Sequence, residues 1–270
     1  MRPRSWSGCA PRRCRNAWLP RGASAASPLV GSTTMASKGY VVVFGRGPVA
    51  DDIFKAAQAA DYRVVAVKDL RTIEREVAEA TIVVEACVAD HYRKYEALEA
   101  MGRALQPRAV LLADALPATV AECATWSGQP RRCVGYGVVA HLADQKIVEL
   151  ATGAATLDDA LEQARTFFSE LGHETRKVGD RPGLISGRTI AALANEAAWA
   201  VANGVASEGD VDRAMQLGTN YPRGPLAWAR EIGPKRVVAI LENMRRHEGD
   251  AYEPAPLLRE IAGSKEPAQR

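Results

Sequence analysis

The residues best suited to chemistry form a glycine turn that follows an apolar run at 40–44. Residues 45–50 have the sequence GRGPVA, a GxGxxA pattern, and a helical pattern follows over 51–60. The first glycine permits a tight turn, and the second lets the backbone approach a pyrophosphate. A second apolar run at 63–67 completes a strand–turn–helix–strand unit, which is typical of dinucleotide-binding proteins.

The end of the second run is the expected place for a carboxylate that binds ribose hydroxyls. By register that position is Lys68, and Asp69 comes one residue later. NADP is therefore an alternative to NAD, and so is a Rossmann fold that no longer binds a nucleotide. Pro48 also removes a backbone donor from the turn. The predicted cofactor-binding residues are Gly45, Arg46, Gly47, Pro48, Val49, Lys68 and Asp69.

Composition and charge exclude several classes of function. Apolar residues make up 47% and charged residues 25% of the chain, as in ordinary globular proteins. No stretch approaches the roughly 18 uninterrupted apolar residues of a membrane helix, which predicts a soluble protein without a membrane partner. Residues 39–270 hold 28 basic and 32 acidic residues, a net charge of −4, so a nucleic-acid partner is not expected.

The first 34 residues are rich in Arg, Ser, Ala and Pro and contain no acidic residue. A mitochondrial transit peptide has this composition, but a start codon upstream of Met35 or plain disorder explains it as well. The segment lacks the apolar centre of a secretory signal. Residues 1–38 are therefore predicted to be a disordered or non-native extension.

The five cysteines form no CxxC pair and no metal-binding spacing with the four histidines. No metal site is predicted. An odd number of cysteines favours free thiols in a reducing compartment, here the cytoplasm. Cys87, Cys123 and Cys133 are expected to be small buried residues.

Strand and helix patterns alternate through the first two thirds of the chain. Further strands are predicted at 81–85, 109–112, 133–136 and 147–150, and helices at 91–105, 117–126 and 157–171. This alternation predicts an α/β fold with a Rossmann-like, doubly wound parallel sheet over residues 39–180.

Past residue 180 the strand signals largely stop, and apolar residues fall at helical spacing. Helices are predicted at 188–203, 208–217, 226–232 and 234–247. The sequence Ser207-x-x-Asp210 is expected to cap the second of these helices. Residues 181–270 are therefore predicted to form an all-helical domain.

Several ordered segments of this helical half resemble one known family. They are Asp180–Ile185, Asn195–Ala197, Gly204–Ser207, Asp210–Gly218 and Asn220–Leu226. Their order and spacing are similar to the C-terminal domain of the 3-hydroxyacyl-CoA dehydrogenases, and the resemblance covers about residues 40–262. Within that family, residues 224–228 and 241–243 are most similar to the degenerate second copy in the fused dehydrogenases of phenylacetate breakdown.

The resemblance implies oxidation of a 3-hydroxyacyl-CoA to the 3-oxo thioester with NAD, and a homodimer formed through the helical domain. In the family a His acts on the hydroxyl group and a Glu orients that His, while a Ser and an Asn hold the substrate oxygens. A base with a pKa near neutrality suits this chemistry.

Most of the residues that carry these roles in the family are replaced in this sequence. The Glu is present as Glu149, but the His position is Gly137 and the Asn position is Gly187. Residues 114–118 replace the serine-rich segment, and Ala89 replaces an expected glutamate.

The CoA-binding helical hairpin is also missing, since Asp69 leads almost directly to the strand that begins at Thr81. The chain also ends without the family's glycine-rich, aromatic tail.

Four residues remain as candidates for catalysis, each with a structural alternative. His141 is either a relocated base or a structural histidine. Glu149 is either the partner of that base or a carboxylate paired with a neighbouring helix. Tyr136 is a candidate acid or a strand aromatic packed against the helical domain. Asp114 lies where a strand meets its loop, but capping of the next helix explains it equally well.

Three hypotheses follow. The chain is an NAD-dependent dehydrogenase with degraded catalysis by Glu149 and His141, or a silent homologue that serves as a binding or assembly module for an active acyl-CoA enzyme. The third hypothesis is a different, NADP-dependent reductase, motivated by Lys68.

Overall fold

The computed structural model describes residues 38–86 and 91–263. The predicted extension up to residue 37, Cys87 and the Ala89 position lie outside the described residues.

Strands and helices alternate through the sheet half of the chain. The strands are β1 (Tyr40–Gly45), β2 (Arg63–Val67), β3 (Ile82–Ala86), β4 (Val110–Asp114), β5 (Cys133–Gly137), β6 (Ile147–Thr152) and β7 (Glu174–Val178). The helices among them are α1 (Pro48–Ala59), α2 (Leu70–Val77), α3 (His91–Ala104), α4 (Val120–Ser127) and α5 (Asp158–Glu170). The helical half comprises α6 (Ser186–Ala202), α7 (Glu208–Thr219), α8 (Pro225–Ile232), α9 (Pro234–Glu248) and α10 (Pro256–Gly263).

The seven strands form one sheet in the order β2-β1-β3-β4-β5-β6-β7. The first five strands run parallel, which confirms the predicted Rossmann-like fold. The last two strands run in the opposite direction, because β6 is antiparallel to β5 and β7 is parallel to β6. They depart from the parallel sheet that the sequence predicts. The connection 138–146 explains the reversal, since a parallel crossover needs about a dozen residues or more.

Helix α2 was missed by the sequence analysis, which took Asp69 almost directly to the strand at Thr81. Asp69 caps this helix, because its Oδ1 accepts a hydrogen bond from the Arg71 backbone N–H at 3.0 Å. This bond lowers the pKa of Asp69. Ile73 and Val77 bury the apolar side of α2 against the sheet.

Alternate strand residues point to opposite faces of the sheet and produce two apolar layers. Val41 and Val43 face α1 and α5, whereas Val42 and Phe44 face the layer that contains α3, α4 and the helical half. The helical half therefore packs against one face of the sheet only.

Cys123 and Cys133 are buried as predicted, and burial raises the pKa of Cys133 to about 12.

Polar side chains accept hydrogen bonds from the free N–H groups at the N-termini of several helices. Ser207 accepts from the Asp210 N–H at 3.2 Å, which confirms the predicted cap of α7. Asp180, at the junction of the two halves, accepts hydrogen bonds from the N–H groups of Val120 and Ala121 at 2.7 and 2.9 Å and so ties this junction to α4.

In the described part of the chain, every helix is too short or too polar to cross a bilayer.

Candidate functional site

The predicted glycine turn joins β1 to α1 at the carboxyl end of β1. Strands β2 and β3 lie on opposite sides of β1, so the strand order of the sheet reverses here. Gly45 has φ 144°, and a Cβ atom there would lie 2.2 Å from the Ala86 carbonyl oxygen at the end of β3. Only glycine allows this close approach. Gly47, with φ 101°, precedes α1, and Pro48 occupies the first helical position, where proline is well tolerated.

The phosphate end of a dinucleotide fits this turn. The start of α1 presents the positive end of a helix dipole together with backbone N–H groups at Val49 and Ala50. Pro48 supplies no donor, so the turn offers fewer donors than the motif can provide. Arg46 is exposed beside it.

The ribose end of the predicted cofactor site is more open. Lys68 and Asp69 are both exposed, and the Asp69 carboxylate is already bonded to Arg71. Next to them lies a groove with a volume of about 290 Å³. It is lined by Asp69, Leu70, Tyr92, Arg93 and Glu96. The groove carries charges of both signs.

Two leucines, which we call the leucine plug (Leu116 and Leu184), pack against Gly137 and Gly187, where the resemblance places the family's His and Asn. A Cβ atom on Gly137 would lie 2.9 Å from Leu184 Cδ1 and 3.3 Å from Leu116 Cδ2. A Cβ atom on Gly187 would lie 2.9 Å from Leu116 Cδ2. The plug is buried, with exposed fractions of 0% and 2%. A larger side chain at either glycine would therefore collide with the plug.

Leu184 reaches this place in a strained backbone conformation. Its φ of 51° lies in the left-handed region, which costs a non-glycine residue about 1–3 kcal/mol. Burial of its side chain against Gly137 offsets this cost.

Glu149 faces Gly137 across the β5–β6 ladder but bonds to the helical half. Its two carboxylate oxygens accept hydrogen bonds from the N–H groups of Ile185 and Ser186 at 2.8 and 2.9 Å. A carboxylate at a helix N-terminus is electrostatically favourable, so Glu149 caps α6. These contacts match the structural alternative for Glu149, and a catalytic role stays a prediction.

His141 lies before a single 3₁₀ turn (Leu142–Asp144), against α1. Its Nδ1 is 3.2 Å from Oδ2 of Asp52, which also accepts from the Leu142 N–H at 3.1 Å. The structure does not bring His141 into hydrogen-bond contact with Glu149. A relocated base at His141 would have Asp52 as its orienting carboxylate.

The structure corrects two predictions for the remaining candidates. Tyr136 does not pack against the helical domain, since its buried ring lies 5.7 Å from that of Phe168 on α5, on the opposite face of the sheet. Its hydroxyl donates to the Glu85 carbonyl oxygen. Asp114 does not cap α4, because Thr119 and Glu122 form the capping box of that helix.

Asp114 instead belongs to a buried charge network (Glu85, Lys94, Asp114 and Arg236) that sequence reasoning missed. Lys94 on α3 pairs with Glu85 on β3, and the Asp114 N–H donates to the same carboxylate at 3.1 Å. The Arg236 guanidinium on α9 donates to Asp114 Oδ2 at 2.8 Å. Burial is the largest single influence and lowers the pKa of Lys94, but the negative groups around it, Glu85 first among them, together outweigh burial and leave the pKa raised.

The signal for this network was a charged residue at a core position of a helix. Lys94 lies three, four and seven residues before Ala97, Leu98 and Met101, all of which are buried on one side of α3. A buried lysine is stable in its charged form only when it pairs with a carboxylate inside the protein.

Comparisons with known proteins identify the family. Residues 51–181 match the model of the 3-hydroxyacyl-CoA dehydrogenase NAD binding domain, and residues 183–270 match that of the 3-hydroxyacyl-CoA dehydrogenase C-terminal domain. The chain belongs to the 3-hydroxyacyl-CoA dehydrogenase family. This confirms the resemblance found in the sequence.

Relatives within the 3-hydroxyacyl-CoA dehydrogenase family match parts of the chain. It is 42% identical over 118 residues, 43% of its length, to 3-hydroxyadipyl-CoA dehydrogenase of Escherichia coli, and covers 25% of that protein. It is 30% identical over 199 residues, 73% of its length, to 3-hydroxybutyryl-CoA dehydrogenase of Bradyrhizobium diazoefficiens, and covers 66% of it. The chain thus spans a quarter of the first relative and about two thirds of the second.

A solved structure shows the same fold. The (S)-3-hydroxybutyryl-CoA dehydrogenase from Ralstonia eutropha superposes with a TM-score of 0.68 at 23% identity. The match covers 82% of this chain and 92% of that one.

The contacts of Glu149 predict a structural effect of its substitution in this dehydrogenase homologue. We expect Glu149→Gln to lower the free energy of unfolding by about 1–2 kcal/mol, because a neutral amide interacts less well with the α6 N-terminus. Urea unfolding would measure this loss. Glu162→Gln, on the exposed side of α5, is the control and should change stability little. Equal stability of the two variants would contradict the cap.

Proposed function

We propose that this 3-hydroxyacyl-CoA dehydrogenase homologue acts in acyl-CoA metabolism with little or no hydride transfer of its own, as a binding or assembly partner of an active acyl-CoA enzyme. The leucine plug supports the proposal, because the resemblance assigns Gly137 and Gly187 to a histidine and an asparagine, and a larger side chain at either position would collide with the plug. Removal of a general base alone costs about 10²–10⁴-fold in rate.

The retained nucleotide turn supports continued binding of NAD, with NADP as the alternative that Lys68 motivates. When bound, the nicotinamide would supply hydride chemistry. Of the chain's own residues, Val49 and Ala50 would hold the phosphates through their N–H groups. The free buried thiols of Cys123 and Cys133 support a cytoplasmic location.

A second candidate function is a dehydrogenase with a relocated base. The pairing of His141 with Asp52 favours it, since a carboxylate that bonds one imidazole nitrogen orients the other for proton transfer. His141 lies before the 3₁₀ turn and is partly exposed, so a ligand can reach it.

An assay of ketone reduction separates the two functions. The full chain is mixed with acetoacetyl-CoA and either NADH or NADPH, and the nucleotide absorbance is followed. We expect a flat trace with both nucleotides, while an authentic dehydrogenase in a parallel cuvette consumes NADH. Steady consumption that disappears in His141→Gln would overturn the silent function and establish the relocated base. Co-elution with an active dehydrogenase in gel filtration tests the assembly role.

The chain associates as a homodimer through its helical half. Helix α7 contains no fully buried residue in the single chain, and Val205 and Leu217 are each 73% exposed. Large apolar side chains with this exposure support burial against a second copy of the chain. Light scattering should give a dimer mass for the wild type and a monomer mass for Leu217→Glu, with Gln216→Glu as the control. A monomeric wild type would refute the dimer.

A further inference from the structure

Arg236 crosses from the helical half into the sheet half. It stands near the start of α9, yet its guanidinium donates to Asp114 Oδ2 at the end of β4 and to the Val138 carbonyl oxygen just past β5, at 2.8 and 2.7 Å. The side chains of Arg236 and Asp114 are 3% and 2% exposed. The contact is a buried ion pair between the two halves.

The location of this ion pair matters for ligand access. In open α/β sheets, ligands bind outside the carboxyl ends of the strands at the point where the strand order reverses, which here lies between β1 and β3. Strand β4 is next to β3 in the sheet, so its end borders that crevice. The ends of β4 and β5 are covered by Arg236, and the leucine plug lies beside them, since Leu116 N–H donates to the other oxygen of Asp114 at 3.2 Å. The protein's own side chains thus cover the carboxyl ends of β4 and β5.

A gain in stability does not by itself account for this contact. Buried ion pairs are often no more stable than apolar residues of similar volume, because both charges lose their hydration. The Nε atom of Arg236 is also buried without a hydrogen-bond partner among the described residues. An unsatisfied donor has a free-energy cost, whereas the fork-like guanidinium fixes the relative position of the groups it joins.

We propose that Arg236 is an interdomain latch. Its ion pair with Asp114 holds the helical half against the carboxyl ends of β4 and β5 and keeps the crevice between the halves closed to small ligands. The latch acts whether or not the chain retains catalysis.

Hydrogen exchange followed by mass spectrometry tests the latch on the full chain. The variant Asp114→Leu/Arg236→Met removes both charges, so that no buried charge is left without its partner. We expect peptides at the crevice, 115–119 and 181–188, to exchange at least about tenfold faster than in the wild type, while peptides of β1 and β3 change little.

Two further variants keep the test decisive. Arg236→Lys retains the charge but loses the fork geometry, and should accelerate the same crevice peptides by a smaller factor. Arg132→Met/Asp159→Asn removes a buried arginine and its partner within the sheet half, and should leave the crevice peptides unchanged. The latch is refuted if exchange rises equally in crevice and strand peptides in both Arg236 variants, or if the Arg132 control opens the crevice as well.

Discussion

Replacement of Lys94 by methionine is expected to lower the free energy of unfolding by about 3–5 kcal/mol, because it removes the ammonium that neutralises the buried Glu85 carboxylate. Both side chains are almost fully buried, at 3% and 0% exposure, so water does not replace the lost partner. Equilibrium unfolding in urea measures the loss.

The matched control for Lys94 lies on the same helix. Arg103→Met removes ion pairs with Glu74 and Glu99 that are about half exposed, and should cost less than about 1 kcal/mol. The double variant Glu85→Gln/Lys94→Met should regain part of the stability that Lys94→Met loses. A Lys94 variant no less stable than the Arg103 variant would show that the pair is not coupled to folding.

Gly137→His places a histidine where the resemblance puts the family's base, and we expect it to destabilise the protein without producing activity. A Cβ atom alone would lie 2.9 Å from Leu184 Cδ1, and an imidazole needs far more room. Overpacking of a core typically costs about 1–3 kcal/mol, and occasionally more. Thermal unfolding and the acetoacetyl-CoA assay measure the two effects.

Gly153→Ala is the control for this glycine substitution. Its Cβ atom would meet Thr156 Oγ1 at 3.7 Å, which is ordinary contact, so its stability should stay near that of the wild type. If Gly137→His were as stable as the control and oxidised NADH, the leucine plug would be mobile enough to admit a base, and the silent function would fail.

The sequence alone was sufficient to predict the parts of the fold that depend on local patterns. The turn at 45–50, the first six strands and the first four helices of the second half were found because periodicity and glycine positions determine them locally. Strand β7 and helix α10 were not predicted. The reversal between β5 and β6 was missed because strand direction depends on connection length. Helix α2 was missed although its Asp69 cap and apolar residues carried the signal.

The candidate site was harder to predict, because its character depends on contacts between distant residues. The resemblance assigns the histidine position to Gly137, but no sequence pattern shows that Leu116 and Leu184, from two other segments, pack against it. Similarly, Arg236 meets Asp114 across 122 residues of chain, and no spacing rule reports such a pair.

The cap that Glu149 places on α6 gives this acidic residue a structural duty that does not depend on any reaction. A side chain that holds two halves of a protein together is kept whether or not it also orients a base. An inventory of active-site residues that counts such a glutamate therefore says little about catalysis. Gly137 and Gly187 are more informative, because the resemblance assigns their positions to the base and to the asparagine.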